Sequence, residues 1–74
     1  MEFSERIKNL RIDSDKTQKE LGIIFNMTQR KISRLETGEA EPSLQDIKQF
    51  CTYYNKSADY ILGYTNEPKA LPKK

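Results

Sequence analysis

Apolar side chains recur at helical spacing along most of the chain. Phe3, Ile7 and Leu10 stand at i, i+4 and i+7 with charge between them, which predicts a first helix over Phe3 to Ile12. Asp13 to Lys16 is a polar break, and Asp15 can take the left-handed turn that glycine usually supplies. Thr17 then offers a hydroxyl to a first helical turn, and Glu20 stands three residues on, where a capping box needs it. Leu21 and Phe25 share one face of this second helix. Gly22 between them costs roughly 1 kcal/mol against Ala, so it predicts another helix crossing close enough for a side chain to clash.

Asn26 suits a left-handed turn, and Met27 returns to the core. Thr28 caps a third helix, 28–36, with Ile32 and Leu35 inward and Gln29, Arg30, Ser33 and Arg34 outward. Gly38 stops it, and Thr37–Glu41 reads as a loop. Pro42 and Ser43 begin a fourth helix, with Asp46 completing a second capping box and Leu44, Ile47, Phe50, Cys51 and Tyr54 on its apolar face. Asn55 ends it. Ser57 caps a short fifth helix with Ala58, Ile61 and Leu62 inward, and Gly63 closes it. No strand pattern and no internal repeat interrupts the series. The expectation is an all-α bundle of five short helices over residues 1–64, followed by a flexible tail over 65–74 that is rich in proline and lysine.

Composition narrows the chemistry. A chain of 74 residues makes one small domain, with little room for a deep cleft and a scaffold around it. It has no histidine and a single cysteine, Cys51, so the commonest general base and any zinc-ligand spacing are missing. Cys51 reads as a small buried hydrophobe. No paired-carboxylate arrangement or phosphate loop appears, Glu39 and Glu41 reading as solvated charge. Neither an enzyme nor a cofactor or metal is expected. No membrane-length apolar run or signal-peptide core is present, which points to a cytoplasmic chain. Net charge is only +2, so the distribution of charge matters more than its sum. Arg30, Lys31 and Arg34 make the outward surface of the third helix basic, while acids collect elsewhere.

The run Gln18, Leu21, Gly22, Phe25, Asn26, Met27, Thr28, Ile32, Ser33, Glu36 and Gly38 resembles the phage-repressor/Cro-type helix-turn-helix family, also described as xenobiotic-response-element-like. Similarity covers the flanks from about Phe3 to Gly63. Asn26 stands where the family's turn has Gly. Lys16 and Lys56 replace apolar residues, and Ile23 and Ile24 replace exposed polar ones. The resemblance implies a lambda-repressor-like fold in which the second and third helices form the helix-turn-helix. It implies a sequence-specific regulator of transcription on double-stranded DNA, most simply a homodimeric repressor on an inverted repeat.

Carried over residue by residue, the resemblance implies base contacts from Gln29, Arg30 and Arg34. Side-chain chemistry agrees, since Gln can pair with adenine and Arg with guanine in the major groove. Lys31 suits either a base or a phosphate. Gln18, Thr28 and Thr37 are implied phosphate contacts, and Arg11 with Glu36 is an implied structural ion pair. Tyr60 and Tyr64, on and beside the fifth helix, are candidates for the dimer seam. The alternative is an antitoxin-like or adaptor module whose protein partner docks near Ile23 and Ile24.

Overall fold

Four of the five helices begin at a hydroxyl that satisfies their first turn. The computed structural model describes residues 2–68, in the order α1 (Phe3–Asp13), α2 (Gln18–Phe25), α3 (Gln29–Thr37), α4 (Leu44–Tyr54) and α5 (Ala58–Leu62). The Thr17 hydroxyl accepts the Glu20 N–H at 3.0 Å, and the Glu20 carboxylate accepts the Thr17 N–H at 3.0 Å. Ser43 and Asp46 repeat this reciprocal box on α4, at 3.1 and 2.9 Å. Thr28 caps α3 through Lys31 N–H and Ser57 caps α5 through Tyr60 N–H. Each such cap is worth about 1 kcal/mol. Only α1 starts without a side-chain cap, at Glu2.

The stops are equally local. Asn26 (φ 56°), Gly38 (φ 82°), Asn55 (φ 53°) and Gly63 (φ 87°) end α2, α3, α4 and α5 in the left-handed region, and Asp15 (φ 58°) turns the chain between α1 and α2. Asn and Asp tolerate that region better than other side chains, because they can hydrogen-bond locally.

The apolar stripes meet in one core of Ile7, Leu21, Phe25, Ile32, Leu35, Phe50, Cys51 and Ile61. Phe50 sits at its centre, edge-on to Phe25 with ring centroids 4.8 Å apart and edge-on to Phe3 at 5.8 Å. α3 packs on α1 and α2, α4 on α5, and α5 returns to α1. α1 is therefore the shared wall between the α2–α3 unit and α5.

Gly22 is where α2 and α3 are brought together. A Cβ there would lie 2.7 Å from the Met27 carbonyl oxygen and 3.6 Å from the Gln29 nitrogen. The close approach is as expected, but its source is the backbone of the turn rather than another crossing helix. The Met27 N–H donates to the Gly22 carbonyl at 2.7 Å, drawing the turn onto this residue.

Four expectations need adjustment. Leu44 is 74% exposed, because it is the first residue of α4 and projects past the end of the core, so the inward face of that helix starts at Ile47. Ala58, likewise the first residue of α5, is exposed, whereas Ile61 is fully buried. Thr37 is the last residue of α3 rather than part of the loop, and its hydroxyl donates to the Arg34 carbonyl at 3.2 Å. Beyond residue 64, the Thr65 carbonyl and Asn66 Oδ1 each accept from Arg6 Nη2 at 3.0 Å, so packing against α1 extends past the expected boundary. Of the tail expected over 65–74, residues 69–74 lie outside the described residues.

Candidate nucleic-acid interface

The inner side of α3 is locked before the outer side can act. Ile32 and Leu35 are fully buried, and Glu36 is buried beside them. Glu36 is a carboxylate held by three donors. Arg11 approaches fork-on, Nε to Oε2 at 2.7 Å and Nη2 to Oε1 at 3.1 Å, and Gln18 Nε2 donates to Oε1 at 3.1 Å. Arg11 also donates through Nη1 to the Lys16 carbonyl at 2.9 Å. The side chains of Arg11 and Glu36 are only 14% and 2% exposed. The hydrogen bond to Glu36 outweighs the burial of Arg11 and strengthens the guanidinium's hold on its proton. One bidentate pair thus ties α1 to α3, and Gln18 adds the start of α2.

The outer side is open. Gln29, Arg30 and Arg34 are exposed, and with Gln18, Ser33 and Glu39 they line one shallow groove. The arrangement follows from helical spacing: Arg30 and Arg34 are i, i+4, while Gln29 and Ser33 form the adjoining row. Arg34 Nε stands 3.9 Å from Glu39, a loose contact between half-exposed and exposed side chains. The N-terminus of α2 opens at the same place through Gln18, so backbone N–H groups and long polar side chains share one surface.

Three other candidates have defined local partners. Thr28 spends its hydroxyl lone pair on the cap of α3, and Thr37 bonds within its own helix. Lys31 does not turn with Arg30 and Arg34. It reaches α4, where Nζ donates to Asp46 Oδ1 at 3.2 Å. Asp46 is buried, and burial pushes its carboxyl up, but the bond from Ser43 N–H and the contact with Lys31 together bring it below the ordinary carboxylate value.

The structure does not gather Tyr60 and Tyr64 into one patch. Tyr60 lies under Arg6, whose Cζ is 3.9 Å from the ring centroid, and lines a hollow with Asn9, Leu10 and Asp13. Tyr64 is 82% exposed and borders a different hollow, with Glu2, Phe3 and Glu5. Ile23 is 74% exposed and Ile24 44%. Ile24 joins Leu44, Ile47, Tyr53 and Ala58 along an open apolar groove between α2 and α4.

Sequence reasoning passed over Arg6 and gave Asp46 only its capping role. Arg6 stands between Phe3 and Ile7 on the apolar stripe of α1, a position that itself signals burial. Burial pushes the Cys51 thiol up, away from nucleophile chemistry. Among the described residues no group of His, Cys, Asp and Glu could hold a metal ion, and no helix is long and apolar enough to cross a membrane.

Two capped helices meeting at a tight left-handed turn, with an apolar inner face and a polar cationic outer one, define a helix-turn-helix domain. The chain belongs to the helix-turn-helix domain family, whose model matches residues 2–59. The Cro-type resemblance read from residues 18–38 stands with it. The chain is similar to the HTH-type transcriptional activator BcrR of Enterococcus faecalis, 27% identical over 63 residues that make up 85% of this chain and 31% of the relative. Its fold matches the crystal structure of a transcriptional regulator from Listeria innocua with a TM-score of 0.81 and 23% identity, covering 89% of this chain and 62% of that one. The chain thus spans about a third of the curated relative's length and under two thirds of the solved structure's.

Proposed function

We propose that this domain is a sequence-specific reader of double-stranded DNA that regulates transcription, with α3 in the major groove. The carrying observation is the division of α3. Its inner face is fixed by Ile32, Leu35 and the Arg11–Glu36 pair, and its outer face presents Gln29, Arg30 and Arg34 beside the start of α2. A fixed helix with free long side chains is what base-edge readout needs.

The roles follow from chemistry. Gln29 offers an amide for the adenine edge, and Arg30 and Arg34 offer forks for guanine O6 and N7, each good pair giving roughly 1–3 kcal/mol of discrimination. Lys31, the fourth candidate, is held by Asp46 and is left out of the contact set. Gln18 gives one amide proton to Glu36 and keeps a second for phosphate at the N-terminus of α2, while the other phosphate candidates, Thr28 and Thr37, stand at the two ends of α3. Two copies on an inverted repeat would set two α3 helices about 34 Å apart, with the seam along α5 and its flanks, where Tyr60 and Tyr64 border two separate hollows. Repression by occupying a promoter is the sign of regulation we assign, in the cytoplasm on the nucleoid.

Selection from a random duplex library tests this reading. An enriched inverted repeat with half-sites one helical turn apart supports it. Binding without any motif, lost near physiological salt, leaves only phosphate attraction and overturns it. The groove holding Ile24 and Leu44, with exposed Ile23 beside it, favours a second reading in which a protein partner docks there. Ile23→Lys and Ile24→Lys would then abolish regulation in cells without changing DNA affinity.

A further inference from the structure

We infer that Asp46 is a specificity-determining positioning residue: it withholds Lys31 from DNA phosphate and so weakens nonspecific binding. The inference rests on the DNA-reading proposal above. Lys31 is the third residue of α3, beside Arg30 and near the end of the helix that would enter the groove. An unrestrained lysine there would add to the attraction for any phosphate backbone, whatever the sequence. Instead its ammonium is committed to α4, 3.2 Å from Asp46 Oδ1, with the lysine side chain 45% exposed and the carboxylate 6%.

The carboxylate cannot swing away to release it. Asp46 Oδ2 accepts the Ser43 N–H at 2.9 Å, and the Asp46 N–H donates to Ser43 Oγ at 3.1 Å, so the capping box of α4 holds the acid in place. Residues 38–43, which link α3 to α4, are bridged by this pair. A rigid acid facing a mobile cation divides the duties: Asp46 sets the position and Lys31 supplies the charge. Held by Asp46, Lys31 neutralises no phosphate, so it displaces no condensed ion from DNA and adds nothing to the salt dependence of binding. Arg30 and Arg34 are left to provide the base-specific part. No other carboxylate pairs with Lys31 among the described residues.

The test is a double-mutant cycle on the full chain, with Asp46→Asn, Lys31→Gln and the double variant. Asn at 46 can still accept the Ser43 N–H, and thermal melting checks that it does. Affinity for a duplex of unrelated sequence is measured across salt. Asp46→Asn should tighten that binding and steepen the slope of log affinity against log salt by about 0.9, one added phosphate contact. The gain should shrink about threefold between about 50 and about 200 mM salt. The double variant should match Lys31→Gln alone, because Asp46 acts only through Lys31. An unchanged slope in Asp46→Asn overturns the inference. So does the same steepening in the Lys31→Gln background, which would make Asp46 a general repulsive charge. Wild-type chain that binds duplex DNA in neither specific nor nonspecific form overturns the DNA-reading proposal itself, and this inference with it.

Discussion

The two arginines of α1, Arg6 buried and Arg11 mostly so, sit in opposite kinds of site. Arg11 meets a carboxylate fork-on, with Glu36 Oε2 at 2.7 Å, and joins α1 to α3. Arg6 is 5% exposed and meets no carboxylate among the described residues. Its guanidinium stacks on Tyr60, bonds the Thr65 carbonyl and Asn66 Oδ1, and leaves Nε without a hydrogen-bond partner. The first site fixes the helix expected to read DNA. The second clasps the chain after α5 against the far end of α1. Burial alone does not say what a charge contributes; the partner does. Removing half of a buried pair strands the other charge, whereas replacing an unpaired buried cation by an apolar side chain removes a desolvation cost.

The same substitution at both sites should therefore give very unequal results. Arg11→Met leaves Glu36 buried with only Gln18 as a side-chain donor, and should cost about 3 kcal/mol. In a domain whose total stability is about 5 kcal/mol, that is visible as a fall of many degrees in the melting temperature. Arg6→Met should change stability by less than about 1 kcal/mol in either direction, while amide exchange at Thr65 and Asn66 accelerates. Equal losses at the two positions would break the comparison.

Gly22→Ala comes next in size. Alanine gains roughly 1 kcal/mol of helix propensity, but its Cβ would stand 2.7 Å from the Met27 oxygen. Backbone must move, and a net loss of about 1–2 kcal/mol is expected in denaturant titration. The α2–α3 angle shifts with it, so DNA affinity should fall more than stability does.

Asp46 gives a smaller, pH-dependent effect. Burial works against its ionised form, but Ser43 and Lys31 more than compensate, so its folded pKa lies below the ordinary value. Its contribution is present above the unfolded carboxylate pKa and is lost as pH falls through the folded one. Asp46→Asn should flatten that acid limb in melts taken from neutral to acid pH. Asn26→Gly should be smallest, under about 1 kcal/mol, since Asn already occupies the left-handed turn and Gly only loosens the unfolded chain.

Which of these features could be read from the sequence follows from their range. Caps and stops act within a few residues, so Thr17 with Glu20, Ser43 with Asp46, Asn26 and Asn55 announce themselves. Helical spacing places Ile32 and Leu35 against the core and leaves Arg30 and Arg34 outside. The Arg11–Glu36 pair came from family resemblance, because nothing local joins residues 25 apart. The apolar stripe signals the burial of Arg6, but its partners lie 59 and 60 residues away, beyond any local pattern. Lys31 reads as part of the basic outer surface of α3, while the acid it meets, Asp46, lies 15 residues on in the next helix. Leu44 and Ala58 fit an apolar stripe whose end the pattern cannot mark, since a stripe does not show where the opposing core stops.

The central claim is that the outer face of α3 reads base sequence. Its most direct measurement is duplex selection with the wild-type chain and with Arg34→Ala, followed by affinity on the enriched and scrambled sites. The wild type should enrich an inverted repeat. With Arg34→Ala, discrimination should fall by about 1–3 kcal/mol at one position of each half-site and stay intact elsewhere. If the wild type enriches no motif, and Arg34→Ala lowers affinity for every duplex alike, α3 contacts phosphate only and is not the reader.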